Sequence, residues 1–153
     1  MKQIKFLRID DRLIHGQVIV GWLPKLSPKQ LLVVNEKIQN DFMRQELMSL
    51  SVPENITLSF SSPEEAADKI ISDSCLLLTA SPEDAWHCLQ NGVAPEVFNV
   101  GGMHSKPGKE EIFEALHLDS QDRKYFKMII DSGVEPVFQP TPQNEPLLLS
   151  DIL

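Results

Sequence analysis

Apolar residues in this 153-residue chain fall into short blocks separated by stripes of helical spacing. Residues 5–9 form a near-continuous apolar run through Phe6, Leu7 and Ile9, which predicts a strand covered on both faces of its sheet. Residues 30–34, 75–79 and 96–100 repeat that pattern, and residues 56–60 alternate. Residues 112–118 and 134–138 predict two further strands, the last at a sheet edge because Pro136 lacks an amide donor. Between these blocks the spacing turns helical. Residues 16–23 predict a helix stopped near Pro24. Asn40 or Asp41 caps another running to Leu50, with Phe42, Met43, Leu47 and Met48 as its buried stripe.

Two helix openings are clear in the pattern. Ser62-Pro-Glu-Glu65 offers a cap, a proline at the first helical position and a glutamate placed to close a capping box. Ser81-Pro-Glu-Asp84 repeats the device and opens a helix that ends at Asn91-Gly92. Asp119 or Ser120 begins the last helix, which carries Tyr125, Phe126, Ile129 and Ile130 and stops at Gly133. Trp86, Tyr125 and Phe126 lie on helical stripes and are expected in the core. Strands alternating with helices predict an α/β fold: a single-domain, open, mostly parallel sheet of six or seven strands with helices on both faces. The domain is expected over residues 1–142, with residues 143–153 as a C-terminal tail carrying no assigned chemistry.

The sequence Arg8-Ile-Asp-Asp-Arg-Leu-Ile-His-Gly-Gln17 interrupts this apolar frame where the first strand meets the first helix. Charged groups at the end of a buried strand must reach water or pair with one another. In open parallel sheets ligands bind outside the carboxyl ends of the strands. That rule gathers the 10–17 loop, Thr79-Ala80-Ser81 and residues 101–109 at one edge. Two guanidiniums and an imidazole beside a helix N-terminus point to an anion such as phosphate or carboxylate.

Composition narrows the partners. The chain carries 14 basic and 22 acidic residues, a net charge of −8, which argues against a nucleic-acid backbone as ligand. No run reaches the ~18 apolar residues of a membrane span and no signal peptide opens the chain, so a cytoplasmic protein is expected. Cys75 and Cys88 lack metal-ligand spacing and read as reduced core residues.

His15 is the sharpest chemical candidate, since imidazole is nucleophilic near neutral pH and phosphohistidine follows from attack on a phosphoryl group. Arg12 supplies a forked donor for the phosphoryl oxygens, and Arg8 either assists or anchors the loop by pairing with Asp10 or Asp11. One of Asp10 and Asp11 is expected to fix the imidazole tautomer, and the sequence leaves open which. Gly16 and Gln17 continue the loop and are expected, with Arg8, to help bind the phosphoryl group. Gly101 and Gly102 would allow backbone amides to approach an anion, and Ser81 is first a helix cap and second a phosphate contact. His104 and Lys109 read as solvated surface groups, and His87 and His117 as structural residues without partners. A metal site from Asp10, Asp11 and His15 is disfavoured: adjacent aspartates in extended chain point opposite ways, and two arginines repel a cation.

The 8–17 sequence closely resembles the active-site loop of the enzyme IIB components of the sugar phosphotransferase system (PTS), mannose/fructose/sorbose family. The resemblance continues at Asn99-Val-Gly-Gly-Met-His104 and, more loosely, from Gly133 to Gln139. It implies that His15 accepts a phosphoryl group from a phosphohistidine of the IIA phosphocarrier protein and passes it to a sugar during uptake through the membrane proteins IIC and IID. Arg12 would assist. No cofactor is implied, and the protein would associate with the inner face of the membrane through IIC/IID. Ile14, Trp22 and Met103 are expected to rim the docking face.

Three stretches depart from the family pattern: Ile19-Val20-Gly21, Asn35, and the tail after Pro142. They bear on sugar specificity and coupling to a transporter more than on phosphoryl acceptance. Two rival readings follow: a regulatory phosphoprotein of an incomplete phosphotransferase system, or a histidine-type phosphatase or mutase. The second is disfavoured, because a second catalytic histidine has no obvious equivalent.

Overall fold

The strand Lys2–Asp10 (β1) lies at the middle of the sheet, as its run of buried residues from Phe6 to Asp10 requires. A computed structural model describes all 153 residues. β1 pairs in parallel with Cys75–Thr79 (β4) on one side and Val93–Gly102 (β5) on the other. Outward from β4 come Gln30–Val34 (β2) and Thr57–Ser61 (β3), both parallel. Outward from β5 come Pro136–Phe138 (β8) and the antiparallel Leu147–Leu148 (β9), giving the order β3-β2-β4-β1-β5-β8-β9. The sheet is therefore seven-stranded and mostly parallel, as the sequence predicts.

Side-chain alternation divides the interior into two cores. Leu7, Ile9, Leu32, Val34, Leu77, Phe98 and Val100 point into one, where they meet Ala85 and Cys88 of Pro82–Gln90 (α5) and Phe126 and Ile129 of Ser120–Asp131 (α6). Phe6, Leu31, Val33, Leu76 and Leu78 point into the other. They are covered by Val18 and Trp22 of a wide π-helical segment, Gln17–Trp22, by Leu23 of the short helix Leu23–Leu26 (α1), and by Ile38 of Glu36–Gln39 (α2). Both cysteines are free thiols in the first core, and burial pushes the Cys75 thiol up to about 12.

Several local expectations change. Pro24 does not stop its helix: it sits in the first turn of α1, where its missing amide costs nothing, and the helix ends at Ser27 in the left-handed region. Asn35 caps α2, a helix the spacing did not announce, by accepting from the Ile38 amide at 3.1 Å. Asp41 caps Phe42–Ser49 (α3), but Phe42, Met43 and Leu47 are exposed and do not form a buried stripe, because α2 and the sheet meet the helix only at its opposite side. Ser62 accepts from the Glu65 amide, yet the Glu65 carboxylate turns to Gln39, so the box stays open and regular helix is confined to Ala66–Lys69 (α4). The reciprocal box forms instead at Asp119 and Asp122, at the start of α6.

Residues 112–118 are not one strand. Glu110–Phe113 (β6) and Leu116–Leu118 (β7) pair as a hairpin turning at Glu114 and Ala115. β8 is not the edge, since β9 covers Val137 and Phe138 and leaves Pro136 facing only Phe98 of β5. Trp86 and Tyr125 are half-buried, and only Phe126 of the three aromatic stripe residues lies fully inside.

The last residues belong to the packed structure: Leu149, in a 3-10 turn after β9, is fully buried in the first core. Leu149→Ala is expected to lower unfolding free energy by about 3 kcal/mol, read from the urea midpoint at unchanged slope.

Candidate active site

The alternation that sends Phe6 toward Trp22 also sends Arg8 there, so a guanidinium lies inside the sheet's second face. Arg8 is wholly buried, 5.6 Å from the Trp22 ring. One terminal nitrogen donates to Asn99 Oδ1 at 2.7 Å and to the Gln139 carbonyl at 3.3 Å; the other donates to Asp10 Oδ2 at 3.0 Å and Gln17 Oε1 at 3.5 Å. Asn99 is the residue directly across from Arg8 in the β1–β5 register. Burial pulls the guanidinium below its ordinary pKa, and the neighbouring Asp10 charge opposes this. Only its Nε has no acceptor.

Gly101 exists for this group. The β1–β5 register slips between Ile9 and Asp10, leaving Gly101 as an extra residue in β5, and a Cβ there would fall inside the Arg8 guanidinium. Gly102 lies against the Asp10 carboxylate and the His104 ring. The glycine pair thus makes room for side chains of the cluster.

Asp10 is fully buried and gathers three donors. His15 Nε2 lies 2.6 Å from Oδ2, the oxygen that also receives Arg8, and the Arg12 amide donates to Oδ1 at 3.0 Å. Burial favours the neutral carboxyl, yet the His15 hydrogen bond, the Arg8 charge and the Arg12 amide together hold Asp10 below the usual carboxylate range. An ionised acceptor at 2.6 Å fixes the proton on His15 Nε2, so Nδ1 carries the lone pair. Of the two aspartates, Asp10 is the one that meets His15.

The loop turns sharply to present His15. Leu13 takes a left-handed φ of 59°, which costs a bulky residue about 1 kcal/mol or more, and its burial in the second core offsets that cost. The amides of Val18 and Ile19 both return to the His15 carbonyl at 3.0 Å, opening the π-helical segment immediately behind the imidazole. The His15 side chain keeps 14% of its surface exposed. Arg12 is exposed, with no intramolecular hydrogen bond or ion pair from its guanidinium, and Gly16 is exposed beside the imidazole.

Asp11 has a different role from Asp10. It accepts from the His104 amide at 2.7 Å and from His104 Nδ1 at 2.6 Å, tying the loop after β1 to the loop after β5. His104 is therefore not a free surface histidine. Asp10, Asp11 and His104 bring ligand-type atoms within 4.8 Å of one another, but each aspartate oxygen is already occupied by Arg8, His15, the Arg12 amide or His104. Ser81 caps α5 through the Asp84 amide and shares a cleft of about 530 Å³ with Asp11, Asn35 and Lys106.

Other expected positions lie elsewhere. Lys109 is half-buried in a 2.7 Å ion pair with Asp122. His117 has partners after all, the Met103 carbonyl at 3.1 Å and Glu111 at 3.4 Å. Trp22 and Met103 are buried and do not rim the site, because Trp22 covers Arg8 and donates to the Pro140 carbonyl; Ile14 remains half-exposed. Sequence reasoning missed Asn99 and Gln139 as Arg8 ligands, although both stand in the stretches that carry the family resemblance.

An open parallel sheet presenting one carboxylate-oriented imidazole and one free guanidinium at the carboxyl end of its central strand is the frame of a phosphoryl carrier. The chain matches the family described as "PTS system sorbose subfamily IIB component" over residues 4–153 and belongs to it. It is 31% identical over 138 residues to the PTS system sorbose-specific EIIB component of Klebsiella pneumoniae, covering 87% of this chain and 84% of that protein. It is 33% identical over 146 residues to the N-acetylgalactosamine-specific phosphotransferase enzyme IIB component 2 of Escherichia coli K12, covering 93% of each. The crystal structure of the IIBSor domain of the Klebsiella pneumoniae sorbose permease superposes with a TM-score of 0.89 at 28% identity, covering 97% of this chain and 94% of that one. The protein is thus a phosphotransferase of the sugar phosphotransferase system, whose IIB components carry phosphoryl groups from IIA to sugar.

Asp10→Asn is expected to cost about 3–5 kcal/mol at neutral pH, because it strands the buried Arg8 charge. The folded-state pKa of Asp10 lies below its unfolded value, so its contribution is full above the ordinary carboxylate range and fades as pH falls through it. Urea titrations should therefore show the gap between wild type and variant narrowing below about pH 4.

Proposed function

We propose that Nδ1 of His15 is the phosphoryl acceptor and donor, and that Arg12 neutralises the phosphoryl oxygens during transfer. The observation that carries this is the 2.6 Å contact from Nε2 to Asp10 beside an unengaged Arg12. Asp10 holds the tautomer that leaves Nδ1 nucleophilic, and Arg8 holds Asp10. Phosphoryl transfer passes through a loose transition state, so positioning and charge neutralisation are most of what a protein adds. As the incoming Nδ1–P bond forms, the bond from phosphorus to the donor imidazole breaks and its electron pair returns to that donor.

The donor is the phosphohistidine of a IIA protein and the final acceptor a sugar entering through IIC/IID. No helix is long and apolar enough to cross a membrane; the family's pairing with IIC/IID supports a place at the inner membrane face, docked on those proteins. The sugar belongs to the hexose class for which relatives are named: sorbose, fructose and N-acetylgalactosamine. Both partners use the face carrying His15. Ser81, Gly16, Gly101 and Gly102 surround or support that face, and Gln17 steadies Arg8.

Incubation with labelled phosphoenolpyruvate, the general phosphotransferase proteins and a IIA protein should label wild type stoichiometrically and leave His15→Ala unlabelled. Arg12→Lys should fold normally but accept the label about 10- to 100-fold more slowly, since a point charge does not replace a planar fork. Label retained by His15→Ala would end the His15 assignment, and an unchanged rate would end the role of Arg12.

A further inference from the structure

The two halves of the carrier cycle differ in their proton balance. Transfer between two imidazoles breaks one N–P bond, forms another, and releases no proton. Transfer to a hydroxyl does release one, so that half-reaction needs a base at the site. The cluster holds few free ones. Asp10 is saturated by Arg8, His15 and the Arg12 amide. Both Asp11 oxygens are engaged by His104, and His15 is the carrier itself.

His104 remains. Its Nδ1 lies 2.6 Å from Asp11 Oδ1, so this nitrogen donates and Nε2 keeps its lone pair. The backbone amide of His104 on the second Asp11 oxygen, at 2.7 Å, fixes where the ring stands. One ring nitrogen lies within 4.8 Å of an Asp10 oxygen, and Asp10 is in turn 2.6 Å from His15. The two imidazoles are thus separated by a single carboxylate, each oriented by its own aspartate. The His104 side chain is 39% exposed and lines a cleft of about 690 Å³ with Gln17, Phe113 and Thr141.

We propose that His104, oriented by Asp11, is the proton acceptor for the hydroxyl that takes the phosphoryl group from His15; this rests on the carrier role given above. The acceptor oxygen forms an O–P bond, the Nδ1–P bond of His15 breaks with its electron pair returning to Nδ1, and the hydroxyl proton passes to Nε2 of His104. A loose transition state moves that proton late, so the effect belongs at the low end for a general base, about 10- to 100-fold.

The test separates the half-reactions. His104→Asn keeps a donor where Nδ1 stood and removes the distal nitrogen. His104→Ala removes both and leaves space for added imidazole. Each protein is labelled from phosphoenolpyruvate through IIA, then mixed with membrane vesicles carrying IIC/IID and, in turn, sorbose, fructose, mannose or N-acetylgalactosamine. The variants should take label onto His15 at the wild-type rate and lose it to sugar about 10- to 100-fold more slowly, with free imidazole restoring part of the loss in His104→Ala. Glu114→Gln, which removes the other base on that cleft, should discharge normally. Wild-type discharge from both His104 variants, equal slowing of both half-reactions, dependence on Glu114 in place of His104, or no sugar-dependent discharge of wild type would each overturn the inference. Failure of wild type to take label at His15 would instead defeat the carrier reading, and it would appear before any sugar is added.

Discussion

A buried guanidinium facing a buried carboxylate is the constraint from which the site follows. Arg8 and Asp10 lie on the same face of the central strand, both wholly out of water. Removing two charges from water costs several kcal/mol per ion, and their attraction offsets this only when the remaining donors and acceptors are filled. Here they are nearly all filled: Asn99, Gln139 and Gln17 complete Arg8, while His15 and the Arg12 amide complete Asp10. A hydrophobic pair of similar volume would contribute comparable stability. What it would not supply is a fixed anion at the base of the loop, and with it a fixed tautomer for His15.

The surrounding fold serves that arrangement. Strand alternation aims Arg8 at Trp22, and Gly101 gives up its side-chain space to the guanidinium. Leu13 accepts a left-handed backbone so that the chain can turn from Asp10 to His15 within a few residues, and its buried side chain keeps the turn from relaxing. Asp11 then pins the loop to His104 across the sheet edge. Within one short loop, therefore, Arg8, Asp10 and Asp11 are committed inward or sideways, and Arg12 alone among its charged residues keeps an unengaged side chain.

Much of this was legible in the residues because strand blocks and loop charge are local signals. The apolar runs gave a parallel sheet, and the sheet-edge rule correctly brought the ends of β1, β4 and β5 together. Partnerships between distant segments were not legible. Which aspartate meets His15 is set by three-dimensional contacts, Asp10 turning to His15 and Asp11 to His104, and the ligands of Arg8 arrive from β5 and from the stretch after β8. His104 read as solvent-exposed because its partner lies 93 positions away. Helix spacing misled at α3, where a periodic apolar stripe faces outward: periodicity marks a face without saying what covers it. The hairpin at residues 110–118 hid inside one apolar run for a similar reason, since two residues suffice to reverse a strand.

The proposed carrier role requires phosphorus to attach at the His15 nitrogen that Asp10 leaves free. Phosphorus-coupled NMR of the phosphorylated protein reads this directly. The expected result is a single phosphohistidine at His15 substituted on Nδ1, with Nε2 still protonated against Asp10. Phosphorus found on Nε2 of His15 would contradict it.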